Sequence, residues 1–88
     1  MRYRVNFSET AKRQLKKLDA FTQKAILKYV TEKLEGIDSP RTQGKALKGS
    51  FKGLWRYDTG KYRLICQIED GKLQILIIKI GHRREVYR

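Results

Sequence analysis

The sequence predicts an α+β fold: an N-terminal strand, an αα-hairpin, then a mainly antiparallel sheet of three to four strands packed on the helices. Three observations predict it. Apolar residues follow a helical period up to position 37 and alternate in the second half of the chain. Ser8 and Asp19, good helix N-caps, precede the two helical stretches. Turn-forming segments, Thr59-Gly60-Lys61 and Asp70-Gly71, separate the later strands. A chain of 88 residues fits one domain, 1–88.

The first half of the chain predicts one strand and two helices. Residues 2–7 alternate between apolar and polar side chains, as a half-buried strand does. The first helix presents an apolar stripe of Ala11, Leu15 and Leu18. The second presents Ile26, Tyr29, Val30, Leu34 and Ile37, and Gly36 is suited to end it. Almost no loop separates the helices, so they form a tight hairpin.

The second half predicts strands at 54–58, 62–69 and 72–80, and a short edge strand at 45–49. The last strand is apolar on both faces, so we expect it inside the sheet and covered on both sides. If Trp55 and Tyr57 face the helices, Arg56 and Arg63 project together from the opposite face; we expect Trp55 to be a core residue rather than a base-stacking platform. A tail folded back after Gly81 adds further cations there.

The chain carries a large positive charge. Its 21 basic and 9 acidic residues give +12, and the sheet half is the more basic. Because such self-repulsion opposes compactness, we expect a polyanionic partner: nucleic acid, an anionic membrane or an acidic protein. A merely solvated surface is the alternative. The longest apolar run, 75–78, is too short to span a bilayer, so we expect a cytoplasmic protein without a membrane partner.

Several chemistries lack support in the sequence. One histidine, one cysteine and no carboxylate cluster do not supply the usual metal ligands, so we expect no metal and no cofactor. Cys66 has no partner for a disulfide and lies in a core pattern. Neither a nucleophile elbow nor a glycine-rich phosphate loop is present. RNA cleavage by its own 2′-OH needs only proton transfer and charge stabilisation, which arginine, lysine, tyrosine and histidine can provide.

Four motifs carry a resemblance: K-A-L-K-G at 45–49, L-W-R-Y at 54–57, G-K-Y-R-L at 60–64 and G-H-R-R-E-V-Y at 81–87. In this order they resemble the RelE family of toxins, within the RelE/ParE toxin–antitoxin superfamily. The resemblance implies a ribosome-dependent mRNA endoribonuclease (interferase) that cuts the codon in the A site and leaves a 2′,3′-cyclic phosphate. It also implies a partly acidic antitoxin that wraps and neutralises the toxin, and contact with operator DNA only through that antitoxin.

The resemblance assigns catalytic roles to five side chains. Arg63 matches the phosphate-binding arginine, and Arg83 the arginine that stabilises the transition state or helps protonate the leaving group. Tyr87 matches the tail tyrosine that stacks on or activates the nucleotide. Arg56 stands where well-known members have a lysine, and it keeps the charge but is a poor proton acceptor. His82 stands at an often basic position.

Two positions leave the chemistry open. The family's other lysine falls on Leu54, and Lys52 is near enough to replace its charge. Histidine titrates near neutrality, so His82 could take over acid–base work; equally, it could only order the tail.

A second group of cations is expected to bind RNA or the ribosome: Lys48, Lys52, Lys61, Arg84 and Arg88. Arg84 and Arg88 could instead be merely solvated.

Two other functions share the fold. A ParE-like toxin poisons DNA gyrase, although that branch typically lacks the arginine and tyrosine constellation. An inactive RNA- or ribosome-binding member is the other, favoured by the departures at Leu54 and Arg56.

Overall fold

The structure is a computed structural model that describes residues 2–86. Tyr87 and Arg88, expected in the catalytic and RNA-binding sets, lie outside the described residues. The helices and strands are β1 (Arg4–Phe7), α1 (Glu9–Lys16), α2 (Ala20–Tyr29), β2 (Lys45–Ala46), β3 (Trp55–Thr59), β4 (Tyr62–Glu69) and β5 (Gln74–His82).

The strands form one sheet in the order β1-β5-β4-β3-β2. β1 runs parallel to β5, and the other pairings are antiparallel. The predicted α+β fold is confirmed. The sheet has five strands because the N-terminal strand joins the four strands of the second half. Within residues 2–86, no helix has the length and apolar character needed to cross a membrane.

The helices begin at the predicted caps. Ser8 Oγ accepts a hydrogen bond from the Ala11 amide at 3.0 Å, and an Asp19 carboxylate oxygen accepts one from the Thr22 amide at 3.0 Å. Each bond satisfies an amide that has no partner inside the helix. After α2 the chain continues through a π-helical turn, Val30–Leu34, and turns away at Gly36, whose φ of +81° suits glycine.

The main core lies between the helices and one face of the sheet. Tyr57, Leu64 and Cys66 are fully buried there, with Trp55 packed at the edge. Burial raises the pKa of the Cys66 thiol, which keeps it protonated. The Tyr57 hydroxyl donates to the Pro40 carbonyl at 2.7 Å, so its polar group is satisfied inside the core. The predicted orientation of β3 and β4 is confirmed.

A second, smaller core covers part of the opposite face. Buried Leu47, Ile65 and Val86 form it, and partly buried side chains pack against it: Phe51, Leu54 and Ile78. A bulge makes the two cores compatible, since Ile65 pairs with Lys79 while Cys66 pairs with Ile77, leaving Ile78 as an extra residue. β5 therefore contributes to both cores, as its two-sided apolar pattern predicted.

Two local predictions were wrong. The edge strand ends at Ala46, because Leu47 turns into the second core and a 3₁₀ turn follows at Gly49–Phe51; Lys48 is therefore not in a strand. Asp70-Gly71 is not a two-residue turn but part of a 3₁₀ turn, Asp70–Lys72, followed by Leu73 at φ +50°. The Asp70 carboxylate accepts hydrogen bonds from Tyr3 at 2.6 Å and from Arg41 at 3.0 Å, and these distant partners fix the turn.

Candidate active site

Three charged side chains meet on the sheet face opposite the helices: Arg56 and Asp58 on β3, and Arg63 on β4. We call them the Arg–Asp–Arg cluster. Strand alternation puts Arg56 and Asp58 on one face, and the two-residue β3–β4 turn places Arg63 directly across from Asp58. The predicted proximity of Arg56 and Arg63 is thus present, and a carboxylate that was not assigned a role lies between them.

The carboxylate bonds to both guanidinium groups. Arg63 Nε lies 2.7 Å from Asp58 Oδ1, and Arg63 Nη2 lies 3.1 Å from Oδ2. Arg56 Nη1 donates to the same Oδ2 at 2.7 Å. The side chains of Arg63 and Arg56 are 15% and 21% exposed, so neither charge is fully hydrated.

The surrounding cations control the charge of Asp58. Its partial burial acts to raise the pKa of the carboxyl. The hydrogen bonds and charge of Arg63, with the charges of Arg56 and Arg83, outweigh that effect and hold this pKa below its ordinary value. Asp58 is therefore ionised at neutral pH. Of these charges, that of Arg83 comes from the tail after β5.

The tail folds back at the end of β5. The Arg83 amide donates to the Lys61 carbonyl at 2.8 Å, and the Glu85 and Val86 amides donate to the His82 carbonyl at 2.9 Å. Val86 is 2% exposed in the second core. A side chain at Gly81 would meet Val86 at 3.2 Å, so glycine permits this close return.

The returning tail forms a polar pocket of about 250 Å³ between Lys61, His82, Arg83 and Arg84. The His82 ring packs edge-on against Tyr62 with ring centres 5.8 Å apart. His82 Nδ1 accepts a hydrogen bond from the Arg84 amide at 3.2 Å, which leaves Nε2 to carry the proton of the neutral ring. This tail pocket presents cations and an imidazole, the groups that bind phosphate and move protons.

The remaining predicted positions that the structure describes lie outside the Arg–Asp–Arg cluster and the tail pocket. Lys48 and Lys52 are exposed in the segment between β2 and β3, and within residues 2–86 neither forms an ion pair. Leu54, which stands where the resembled family has lysine, packs against the second core. It therefore supports the tail. In the described part of the chain, no three histidine, cysteine, aspartate or glutamate side chains group as metal ligands.

Sequence reasoning missed Asp58 and Val86. Asp58 had a usable signal, because it shares a strand face with Arg56 and stands opposite Arg63 once the turn length is fixed. The signal for Val86 was weaker: it is an isolated apolar residue in a charged tail.

A second depression adjoins the tail pocket at Lys61. It is largely apolar, has a volume of about 210 Å³ and lies between the start of α2 and the β3–β4 turn. Phe21, at its rim, is 82% exposed.

Comparison with known proteins gives consistent similarities. The family described as "ParE toxin of type II toxin-antitoxin system, parDE" matches residues 5–87. Toxin RelG of Mycobacterium tuberculosis is 32% identical over 88 residues, covering 100% of this chain and 99% of that protein. The mRNA interferase toxin RelE of Escherichia coli is 33% identical over 92 residues, covering 99% and 92%.

Solved structures are similar over almost the whole chain. The toxin–antitoxin complex RelBE2 of M. tuberculosis contains a chain with a TM-score of 0.84 and 30% identity, covering 94% of this chain and 100% of that one. The isolated RelE toxin of E. coli has a TM-score of 0.71 and 28% identity, covering 97% and 90%.

Proposed function

The chain belongs to the RelE family of type II toxin–antitoxin toxins, and from that premise we propose that it is a ribosome-dependent mRNA endoribonuclease acting in the A site. The observation that carries the proposal is the Arg–Asp–Arg cluster next to the folded-back tail, whose Arg83 charge also lowers the pKa of Asp58. Relatives from E. coli and Shigella flexneri named mRNA interferase support it.

The proposed reaction is transesterification within the RNA. The 2′-oxygen attacks the adjacent phosphorus, the bond to the 5′-oxygen breaks, and the products are a 2′,3′-cyclic phosphate and a 5′-hydroxyl. One proton leaves the 2′-hydroxyl and one reaches the departing 5′-oxygen, so the step is balanced without an oxidant, a cofactor or a metal ion. The protein must stabilise the added negative charge and handle both protons.

The residues divide these tasks. Arg63 and Arg56 bind the scissile phosphate, and Arg83 contacts it from the tail; their charges interact more strongly with the transition state, where more negative charge has accumulated. His82 lies beside Arg83 in the tail pocket and is the proposed proton-transfer group. Tyr87, outside the described residues, is proposed to stack on or activate the nucleotide.

Cleavage of mRNA on programmed ribosomes tests the proposal. The purified chain should cut an A-site codon and leave a cyclic phosphate terminus. A matched mRNA with a single 2′-deoxynucleotide at the scissile position should bind equally and remain intact, since it lacks the nucleophile. Binding without cleavage of the all-RNA codon would identify an inactive ribosome-binding member. When a phosphorothioate replaces the scissile phosphate, thiophilic cations should not restore the cleavage rate, as expected for a reaction that needs no metal ion.

A gyrase poison is the second candidate, favoured by the ParE description of the matching family. Pulse labelling after induction separates the two. For an mRNA interferase, amino acid incorporation stops first; for a gyrase poison, thymidine incorporation stops first while protein synthesis continues.

A cognate antitoxin is the proposed partner besides ribosome and mRNA. The similar structures include complexes of RelE toxins with RelB antitoxins. Because the chain carries +12, we propose that an acidic segment of the antitoxin covers its cationic face. The complex forms in the cytoplasm, and only the antitoxin contacts operator DNA. Co-expression should restore growth, and the two chains should co-purify at low salt.

A further inference from the structure

Asp58 makes the shortest charged contacts of the candidate site. Both of its carboxylate oxygens accept hydrogen bonds at 2.7 Å, Oδ1 from Arg63 and Oδ2 from Arg56. The contacts follow from the fold of the hairpin, since residues 56 and 58 share a strand face and residue 63 pairs with residue 58. A loop of a different length between β3 and β4 would move Arg63 away from the carboxylate.

The carboxylate also removes a conflict between the arginines. Arg56 Nη1 and Arg63 Nη2 approach the same oxygen, at 2.7 and 3.1 Å, so two like charges lie close together. Both arginine side chains are less exposed than that of Asp58, which is 31% exposed, so water screens the repulsion between the two positive charges poorly. With one anion between two cations, the cluster keeps a net charge of one positive unit.

We infer that Asp58 is a positioning residue, which holds Arg56 and Arg63 as one preorganised pair directed at the scissile phosphate. The inference rests on the proposed cleavage activity and assigns a role to a residue outside the arginine, histidine and tyrosine set. Asp58 fixes the guanidinium groups of Arg56 and Arg63 and does not take up a proton in the reaction. Preorganised donors cost no rearrangement when charge develops, whereas freely rotating arginines must be ordered in each turnover.

Two variants and one control test the role. D58N keeps the shape and one acceptor oxygen but removes the charge, and D58A removes both. D70N breaks the comparable Arg41–Asp70 pair in the turn before β5, outside the candidate site, and is the matched control. The readouts are single-turnover cleavage on saturating programmed ribosomes, and affinity for ribosomes carrying the 2′-deoxy codon.

The expected result is a split between rate and binding. D58N and D58A should cut about a hundredfold more slowly, the size of effect that a small misplacement produces. Their affinity should equal or exceed that of the wild type, because the cluster gains one positive charge. D70N should match the wild type in both. The Arg63 Nε–H signal in NMR spectra should be protected from exchange in the wild type and in D70N, and lose protection in D58N.

Three results would overturn the inference. Faster cleavage by D58N with tighter binding would mean that Asp58 competes with the phosphate. Complete loss of cleavage with Arg63 Nε–H still protected would mean that Asp58 transfers the proton itself. Wild-type cleavage by both variants would mean that the contact is irrelevant to the reaction. If the wild type itself does not cut, the proposed function fails separately, and Nε–H protection in D58N still decides whether Asp58 orders the pair.

Discussion

Two of the three arginines assigned to the phosphate, Arg63 and Arg83, are fixed by different parts of the chain. The Arg63 side chain bonds to Asp58 across a strand pair. The Arg83 backbone is placed by a hydrogen bond from its amide to the Lys61 carbonyl. Replacing either by alanine should slow cleavage on programmed ribosomes a hundred- to thousandfold, about 3–4 kcal/mol, by analogy with loss of an oxyanion-hole donor. Affinity should change little.

R13A is the control for those variants, since Arg13 is an exposed arginine on α1 and its loss changes the net charge equally. If R63A and R83A both cut at the rate of R13A, the assignment of the site is wrong.

Asp58 also makes stability depend on pH. Its folded-state pKa is lowered, so its contribution to stability is complete above the unfolded-state pKa and is lost as the pH falls through the folded-state value. The free energy of unfolding should therefore decline more steeply for the wild type than for D58N below about pH 4, the ordinary range of aspartate. Urea titrations at a series of pH values measure this. Parallel declines would show that Asp58 gains nothing from its arginines.

At this scale the sequence predicts side-chain faces better than contacts. Alternation sufficed to predict that Arg56 and Arg63 share one face, and the tail motif predicts that Arg83 joins them. The contact of Asp58 with both arginines also requires the register across the β3–β4 turn. The role of Leu54 required knowledge of the second core, which three distant segments build jointly.

Among the larger elements, the described part of the tail, residues 83–86, is held by one apolar anchor. Val86 holds the segment after β5 against Leu47 and Ile65. V86A should destabilise the protein by about 2 kcal/mol from lost burial and the remaining cavity. It should also reduce cleavage at temperatures where the variant is fully folded, because the Arg83 side chain loses its fixed position.

V30A is the matched control, since Val30 is similarly buried but belongs to the main core, on the π-helical turn after α2. Thermal unfolding and cleavage are measured together for both variants. If V30A and V86A lose stability and activity in the same proportion, the tail anchor has no specific role.

The elements themselves were predictable where local chemistry decides them. Ser8 and Asp19 specify the helix starts, and the two-residue loop at Gly60 specifies the hairpin. Distant contacts decided the rest. The Asp70 turn takes its shape from Tyr3 and Arg41, and β2 stops where Leu47 enters the second core. The π-helical turn after α2 has no local signal that we can identify.

For the whole molecule, the charge of +12 governs the encounter with a polyanion. Ribosome affinity should fall steeply with salt because each phosphate contact releases counterions. R84A should reduce the slope of log affinity against log salt by about 1, with only a modest loss of cleavage. Filter binding over a range of potassium chloride concentrations measures the slope. An affinity independent of salt would contradict an electrostatic encounter.

The parallel pairing of β1 with β5 places nearly the entire chain between two neighbouring strands, as the bond between Ser8 and Ile78, 70 positions apart, illustrates. During translation β1 leaves the ribosome well before its partner β5 is made, and pairings of such high contact order form slowly. A ribosome synthesising this toxin has therefore passed the β5 codons before the sheet can close. For the proposed activity on the ribosome, we expect the nascent chain to stay inactive until β5 joins the sheet, which gives the proposed antitoxin time to bind the chain as it folds.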